Sequence, residues 1–255
     1  MTPSLAFYTV PGIPMVLPGD DLVDILLVAL STADIALQDG DVLVLAQKIV
    51  SKAENRYAYL KDVEPSEEAC ALAKKCDKDP RHMQLLLNES REVIRARPGV
   101  VIVEHELGYV HANAGIDRSN IDSDDDNPRL LLLPKDPDRS AALLKSSLQT
   151  RLGVEVNIII NDSAGRAWRN GTLGFALGTA GFEAVENRVG ELDIYGRPLE
   201  VTEVAVADEL AAGASFLMGQ GSEALPVVLI RGANLRPSSQ GSAGLIRDRE
   251  KDMFR

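Results

Sequence analysis

Cysteine, aromatic residues and long apolar runs are all scarce in this chain, and each scarcity removes a class of protein. Cys70 and Cys76 are the two cysteines in 255 residues. Their spacing forms neither a CxxC pair nor the framework of a disulfide-stapled secreted domain, so a reduced, cytoplasmic setting is expected. Aromatics make up 4% of the sequence, which leaves the core to aliphatic side chains. No run approaches the ~18 apolar residues of a membrane-spanning helix, and the N-terminus lacks a basic stretch ahead of an apolar one. Neither membrane spanning nor export is expected. The phosphate-loop pattern GxxxxGK[ST] is missing, and no GxGxxG follows a strand and opens a helix. Positive charge is also short: 27 Lys and Arg stand against 38 Asp and Glu, a net of -11. Such an acidic exterior opposes nucleic-acid binding. A small phosphorylated ligand stays compatible with it, because a local cation or metal reverses the field inside one pocket.

What is present reads as an ordinary globular α/β chain, with 45% hydrophobic and 25% charged residues. Apolar, β-branched runs at 41–47, 100–106, 156–162 and 225–232 predict strands buried on both faces. Between them, helical patterns cover 20–37, 66–76, 80–93, 139–151 and 203–218. The alternation predicts an α/β fold, with α+β as the alternative, in a single module. A smaller lobe is expected as an insertion around 65–115 or 165–200. Asp79-Pro80 and Asp138 are read as helix starts, Gly153 as a helix stop, and Pro98-Gly99 as the break between helix 80–93 and the next strand. The acidic stretch 121–128 is expected as a loop, and 233–255 as a linker and C-terminal tail.

Several segments permit chemistry. In NAGIDRSN (113–120) Asp117 follows a glycine-containing approach, and in IIINDSAGR (158–166) an apolar strand leads into Asn161-Asp162-Ser163. Strand carboxyl ends are where open α/β sheets display ligands. The two aspartates could converge on one hard divalent cation, or each could serve a turn or cap. Ser163 offers a hydroxyl ligand or a turn cap. In MGQGSEALP (218–226), Gly219 and Gly221 either end a helix or present amides to phosphate, with the Gln220 amide oxygen as a metal donor. Lys48 and Lys52, four apart after a strand, are solvated lysines or phosphate partners. Arg166 and Arg169 are anion ligands or surface ion pairs. The glycines of 171–181 are read as tight turns and close packing, with phosphate or substrate cradling as the alternative. His82, His105 and His111 show neither zinc spacing nor a triad, and are read as ordinary histidines.

Six blocks in order, GIPMVLPGDDL, DVLVLAQKIVSKAE, VHANAGIDRSN, IIINDSAGRAWRNGTLGFALG, DIYGRPLEVTEVAVADELAA and LMGQGSEALPVVLIRG, resemble the coenzyme F420 γ-glutamyl ligase family. The resemblance spans about residues 8 to 234, with LIRDREKDMFR (245–255) as a further match. It implies an unusual mixed-sheet α/β fold, distinct from P-loop and Rossmann folds and generally homodimeric. It implies GTP-dependent joining of L-glutamate to coenzyme F420-0, with successive γ-glutamyl additions. By the same resemblance Asp117, Asp162, Ser163 and Gln220 hold Mg2+ or Mn2+, two ions in all, with K+ as a further candidate. Ile13, Pro14, Met15, Val16, Gln47, Lys52, Asn120 and the run Met218, Gly219, Gln220, Gly221, Ser222, Glu223, Ala224, Leu225 occupy GTP-binding positions. Asp117, Asp162 and Lys52 carry the catalysis.

The chain departs from the family pattern at Gln47, where a smaller hydroxylated residue can occur, and at Gln220, where some relatives have glutamate. Some members carry a fused flavin-reductase-like domain, which this sequence ends too early to contain. The competing readings are a metal-dependent phosphate-ester or nucleotide hydrolase and a non-catalytic cofactor-binding module.

Overall fold

The computed structural model describes residues 4–124 and 126–253. Strand β1 (Ala6–Thr9) precedes helix α1 (Leu22–Thr32), and β2 (Val42–Ala46) runs straight into α2 (Gln47–Ala53). The next stretch carries β3 (Tyr57–Tyr59), α3 (Glu67–Cys76), α4 (Pro80–Asn88), β4 (Ser90–Arg97), β5 (Val100–His105), β6 (Val110–Ala112) and β7 (Arg129–Leu131). The chain returns through α5 (Pro137–Leu152), the long hairpin of β8 (Asn157–Arg166) and β9 (Arg169–Phe182), and the short β10 (Glu186–Asn187) and β11 (Glu203–Val204). It closes with α6 (Val206–Met218), β12 (Val227–Arg231) and β13 (Pro237–Ser238).

The main sheet has six strands in the order β1-β12-β2-β8-β9-β13. Its β2–β8 pair is parallel and its other pairs are antiparallel, so the sheet is mixed and the fold is α/β. Successive side chains of a strand face opposite ways, and this sheet uses both faces. Leu43, Leu45, Ile158, Ile160, Val227 and Leu229 pack under α1 and α5, while Val42, Val44, Ile159, Val228 and Ile230 pack under α6. That explains the unbroken apolar runs. A separate apolar cluster, drawn from residues 60–132, joins α3 and α4 to the β4-β5-β6 sheet.

Helix ends have local causes. Asp21 accepts from the amides of Val23 and Asp24, Ser66 caps α3, and Asp79 with Pro80 starts α4 as expected. Gly153 ends α5 in the left-handed region at φ 72°.

Five expectations need correction in whole or in part. Helix 80–93 stops at Asn88, and residues 90–97 form β4, so Pro98-Gly99 turns a β4–β5 hairpin. The α5 cap is Asp136, ahead of Pro137. Asp138 instead accepts from the amides of Thr179 and Ser242. Glycines 171–181 lie inside β9 and not in turns, while the close packing expected of them holds at Gly174 and Gly178, where α6 and Pro137 press against the strand. Residues 233–244 are no free linker: β13 pairs with β9, and Ser242 is buried. Helix 20–37 is also shorter than expected, ending at Thr32. The loop expected at 121–128 is irregular at its described residues, with Asp125 outside them.

Candidate active site

The site forms where the two parallel strands part. In their register Ala46 is the partner of Asn161; beyond it β2 becomes α2, whereas β8 continues paired to β9. A cavity of about 480 Å³ opens at that carboxyl end. Gln47, Lys48 and Lys52 of α2, Asn161, Asp162 and Ser163 of β8, and Asp117 with Asn120 all line it. So do Ile13, Pro14, Met15 and Val16 after β1, and Met218, Gly219, Gln220, Gly221, Ser222, Ala224 and Leu225 after α6. Of the residues singled out in the sequence for this site, Glu223 is the one off the wall. Its carboxylate turns back to accept the Gly221 amide at 2.7 Å. Backbone amides, its own first and then Gly221's, hold its carboxyl below the usual glutamate range. Ser163 sits within β8 opposite Gly174, so it does not cap a turn. Gly219 does end α6, its amide bonded to the Ser215 carbonyl.

A local irregularity aims the aspartate. Ile160 faces Gly178 and Asn161 faces Ala176, leaving Leu177 as an extra residue on β9. Such a bulge turns the neighbouring side chains. The Leu177 carbonyl accepts from the Tyr109 hydroxyl, and Phe175, opposite Asp162, packs against Tyr109 and His111. His111 Nε2 lies 3.5 Å from Asp162 Oδ2, an ion-pair contact longer than a hydrogen bond, and its Nδ1 lies 2.8 Å from the Ala112 carbonyl. Burial alone would push His111 down; the Asp162 carboxylate, helped by the Ala112 carbonyl and Asp117, outweighs it and the net shift is upward. This histidine was read from sequence as ordinary.

Asp117 enters from the other side. It is bridged to Leu131 after a tight turn at Asn113–Gly115, where Gly115 has φ +64° and a Cβ would lie 2.8 Å from Leu133. A side chain there would have to displace Leu133 and hold a left-handed backbone, which glycine does without cost. Asp117 Oδ2 accepts from Lys48 Nζ at 2.7 Å and Gln47 Nε2 at 2.7 Å. Burial raises the Asp117 carboxyl, Lys48 pulls it back, and Asp162 raises it again, with a net rise. Gln47 also accepts from the Ser51 hydroxyl at 2.9 Å, so its carboxamide is fixed as a partner of Asp117.

Lys52 donates to the Asn120 carbonyl at 2.8 Å, and Asn120 Nδ2 donates to the Gly221 carbonyl at 3.2 Å. Burial, followed by Lys48 and Arg129, lowers the Lys52 pKa. Gln220 Nε2 donates to Ser215 Oγ at 3.2 Å. The donor set of two electrostatically coupled carboxylates, a hydroxyl and a carboxamide fits a hard divalent cation. Among the described residues no three His, Cys, Asp or Glu side chains gather. A cation here would have to draw on neutral oxygens as well as on carboxylates. Arg166 and Arg169 sit at the β8–β9 hairpin end, off the cavity wall.

Fold and site define an α/β protein with a polar cavity at the carboxyl ends of parallel strands, lined by carboxylates, lysines and a glycine-rich loop. The sequence matches the family described as F420-0:Gamma-glutamyl ligase over residues 12–232, and the chain belongs to that family. It is 45% identical to the coenzyme F420:L-glutamate ligase of Methanothermobacter thermautotrophicus, covering 96% of this chain and 97% of that protein. Relatives with the same name in Methanocaldococcus jannaschii and Methanopyrus kandleri are 41% and 39% identical, covering 88% and 99% of this chain and 88% and 98% of theirs.

Proposed function

We propose that this chain joins L-glutamate to coenzyme F420-0 in a reaction driven by GTP, and that repetition on the product adds further γ-glutamyl units. One observation carries the reading. In a member of the ligase family, four separate parts of the chain bring Asp117, Asp162, Lys52 and the 218–225 loop to one cavity.

A carboxylate is a poor electrophile, so amide formation needs it activated. In this reading the γ-phosphoryl group of GTP passes to the terminal carboxylate of F420-0, giving an acyl phosphate and GDP. The glutamate amine attacks the acyl carbon, the C–O bond to phosphate breaks, and the amide and inorganic phosphate leave. Mg2+ or Mn2+ held by Asp117, Asp162, Ser163 and Gln220 would supply charge neutralisation at phosphate oxygens. Lys52, its pKa lowered by burial and its ammonium fixed on the Asn120 carbonyl, orients the phosphates, and the amides after α6 offer them further donors. The remaining contribution is positioning in a preorganised polar cavity. A homodimer in the cytoplasm completes the proposal.

The test is mass spectrometry of F420-0 incubated with the protein, GTP, L-glutamate and Mg2+ or Mn2+, with each component omitted in turn. Glutamyl mass additions requiring GTP and metal are expected, and a folded Asp162→Ala variant should lose turnover by roughly a hundredfold. Phosphate release without glutamate, and without mass addition, would replace the ligase by a hydrolase.

A further inference from the structure

Asp117 already has a cation. Lys48 Nζ sits 2.7 Å from its Oδ2, and the same oxygen takes the Gln47 amide. Asp162 lies on the same cavity wall, and two partly buried carboxylates lining one cavity repel. Lys48 relieves part of that repulsion.

The two carboxylates are served differently. His111, beside Asp162, is buried and clamped between Phe175 and the Ala112 carbonyl. Lys48 is at the cavity wall with a quarter of its side chain exposed (26%). A lysine is a compact charge on a flexible four-carbon stem, without the rigid fork of arginine. It can leave Asp117 if another anion receives it. The cavity that Lys48 lines also holds Lys52 and the amide-rich loop after α6, so a bound phosphate chain would provide that anion.

We propose that Lys48 is a resident counter-cation that competes with the divalent ion for Asp117, so that metal loads together with nucleotide and not ahead of it. The inference rests on the reading that Asp117 holds a divalent ion. A cation reaching Oδ2 must displace the ammonium, and without a phosphate to accept it the displaced charge faces Lys52 and the incoming metal. With nucleotide present the ammonium moves from carboxylate to phosphate and the metal takes its place. Linkage is reciprocal, so metal and nucleotide each tighten the other, with part of the coupling passing through this one side chain.

The experiment is Mn2+ titration of the full chain, read from the paramagnetic resonance signal of free Mn2+, with and without GDP. Wild type, Lys48→Met, Lys48→Gln and Lys48→Arg are compared after thermal melts establish that each is folded. Without GDP, the neutral variants should bind Mn2+ roughly tenfold more tightly than wild type, the ratio set by removing a partly buried ion pair, and Lys48→Arg should resemble wild type. GDP should tighten wild type strongly and the neutral variants much less. Neutral variants that bind Mn2+ no more tightly than wild type would overturn the competition. Asp117→Asn separates that failure from a deeper one. If this variant loses Mn2+ while the Lys48 variants gain nothing, the metal reading stands and Lys48 is not the competitor. If it binds Mn2+ as wild type does, the metal lies elsewhere and both ideas fall.

Discussion

His82 and His111 are both buried, and their neighbours give them opposite characters. In α4, His82 has a Nε2 without a hydrogen-bond partner among the described residues, and burial, then Lys78 and Arg118, lowers its pKa to about 4. An unfolded histidine titrates near 6.5. Between those values the unfolded chain binds a proton that the folded chain refuses, so stability falls as pH drops from 6.5 toward 4. The loss from this residue is at most about 3 kcal/mol. Urea denaturation at a series of pH values should show the slope, and His82→Gln should flatten it if the variant folds. His111 is raised instead, because Asp162 faces it. Neither role was legible in the sequence. A histidine's surroundings come from strands distant along the chain, and His111 meets Asp162 only because β6 runs beside β8. The aspartates stood out in the sequence by the small and polar residues around Asp117 and by the strand end at Asp162, and the structure places both on one cavity wall. The sequence could not show that Gln47 is committed to Asp117, a contact between residues 70 apart.

Strand β9 was hidden by its own glycines. Gly174 would carry a Cβ 2.5 Å from the Ala211 carbonyl oxygen and 2.5 Å from Ser215 Cβ, and one at Gly178 would strike Pro137. Residues chosen for absent side chains look like turn formers when read alone. Gly174→Ala should therefore push α6 off the sheet, costing roughly 1–3 kcal/mol in urea denaturation. It should also weaken Mn2+ binding, because Ser215 anchors Gln220. An alanine variant of wild-type stability would mean that α6 has slack at this point. By contrast, β2, β12 and the first half of β8 were legible because burial on both faces forces an apolar residue at nearly every position, and β5 was legible from its β-branched run although only Val101 and Val103 join the core cluster. The end of α4 was misplaced because SREVIRAR alternates weakly, and its β-character depends on the hairpin partner β5.

Across the molecule, apolar groups exposed on the excursion from Arg188 to Thr202 stand apart from the acidic exterior. Ile194, Tyr195 and Val201 are 91%, 75% and 86% exposed. In the proposed homodimer they would be candidates for the buried interface. Ile194→Asp should shift the mass measured by light scattering from dimer toward monomer while leaving the melting temperature of the fold in place; an unshifted dimer would put the interface elsewhere. Among the described residues no helix is long and apolar enough to cross a membrane.

The order of strands has a consequence for how the protein is made. β12 lies between β1 and β2, so the earliest strand to leave the ribosome finds its partner only when one of the last has emerged. Until then β2 has an open edge toward the missing strand, and the loop after α6 has nowhere to dock. Long-range pairing of this kind slows folding and leaves adhesive edges exposed during synthesis. The cavity is thus among the last features a nascent chain acquires, and a chain interrupted before β12 leaves exposed the sticky edge of β2 that β12 covers in the finished protein.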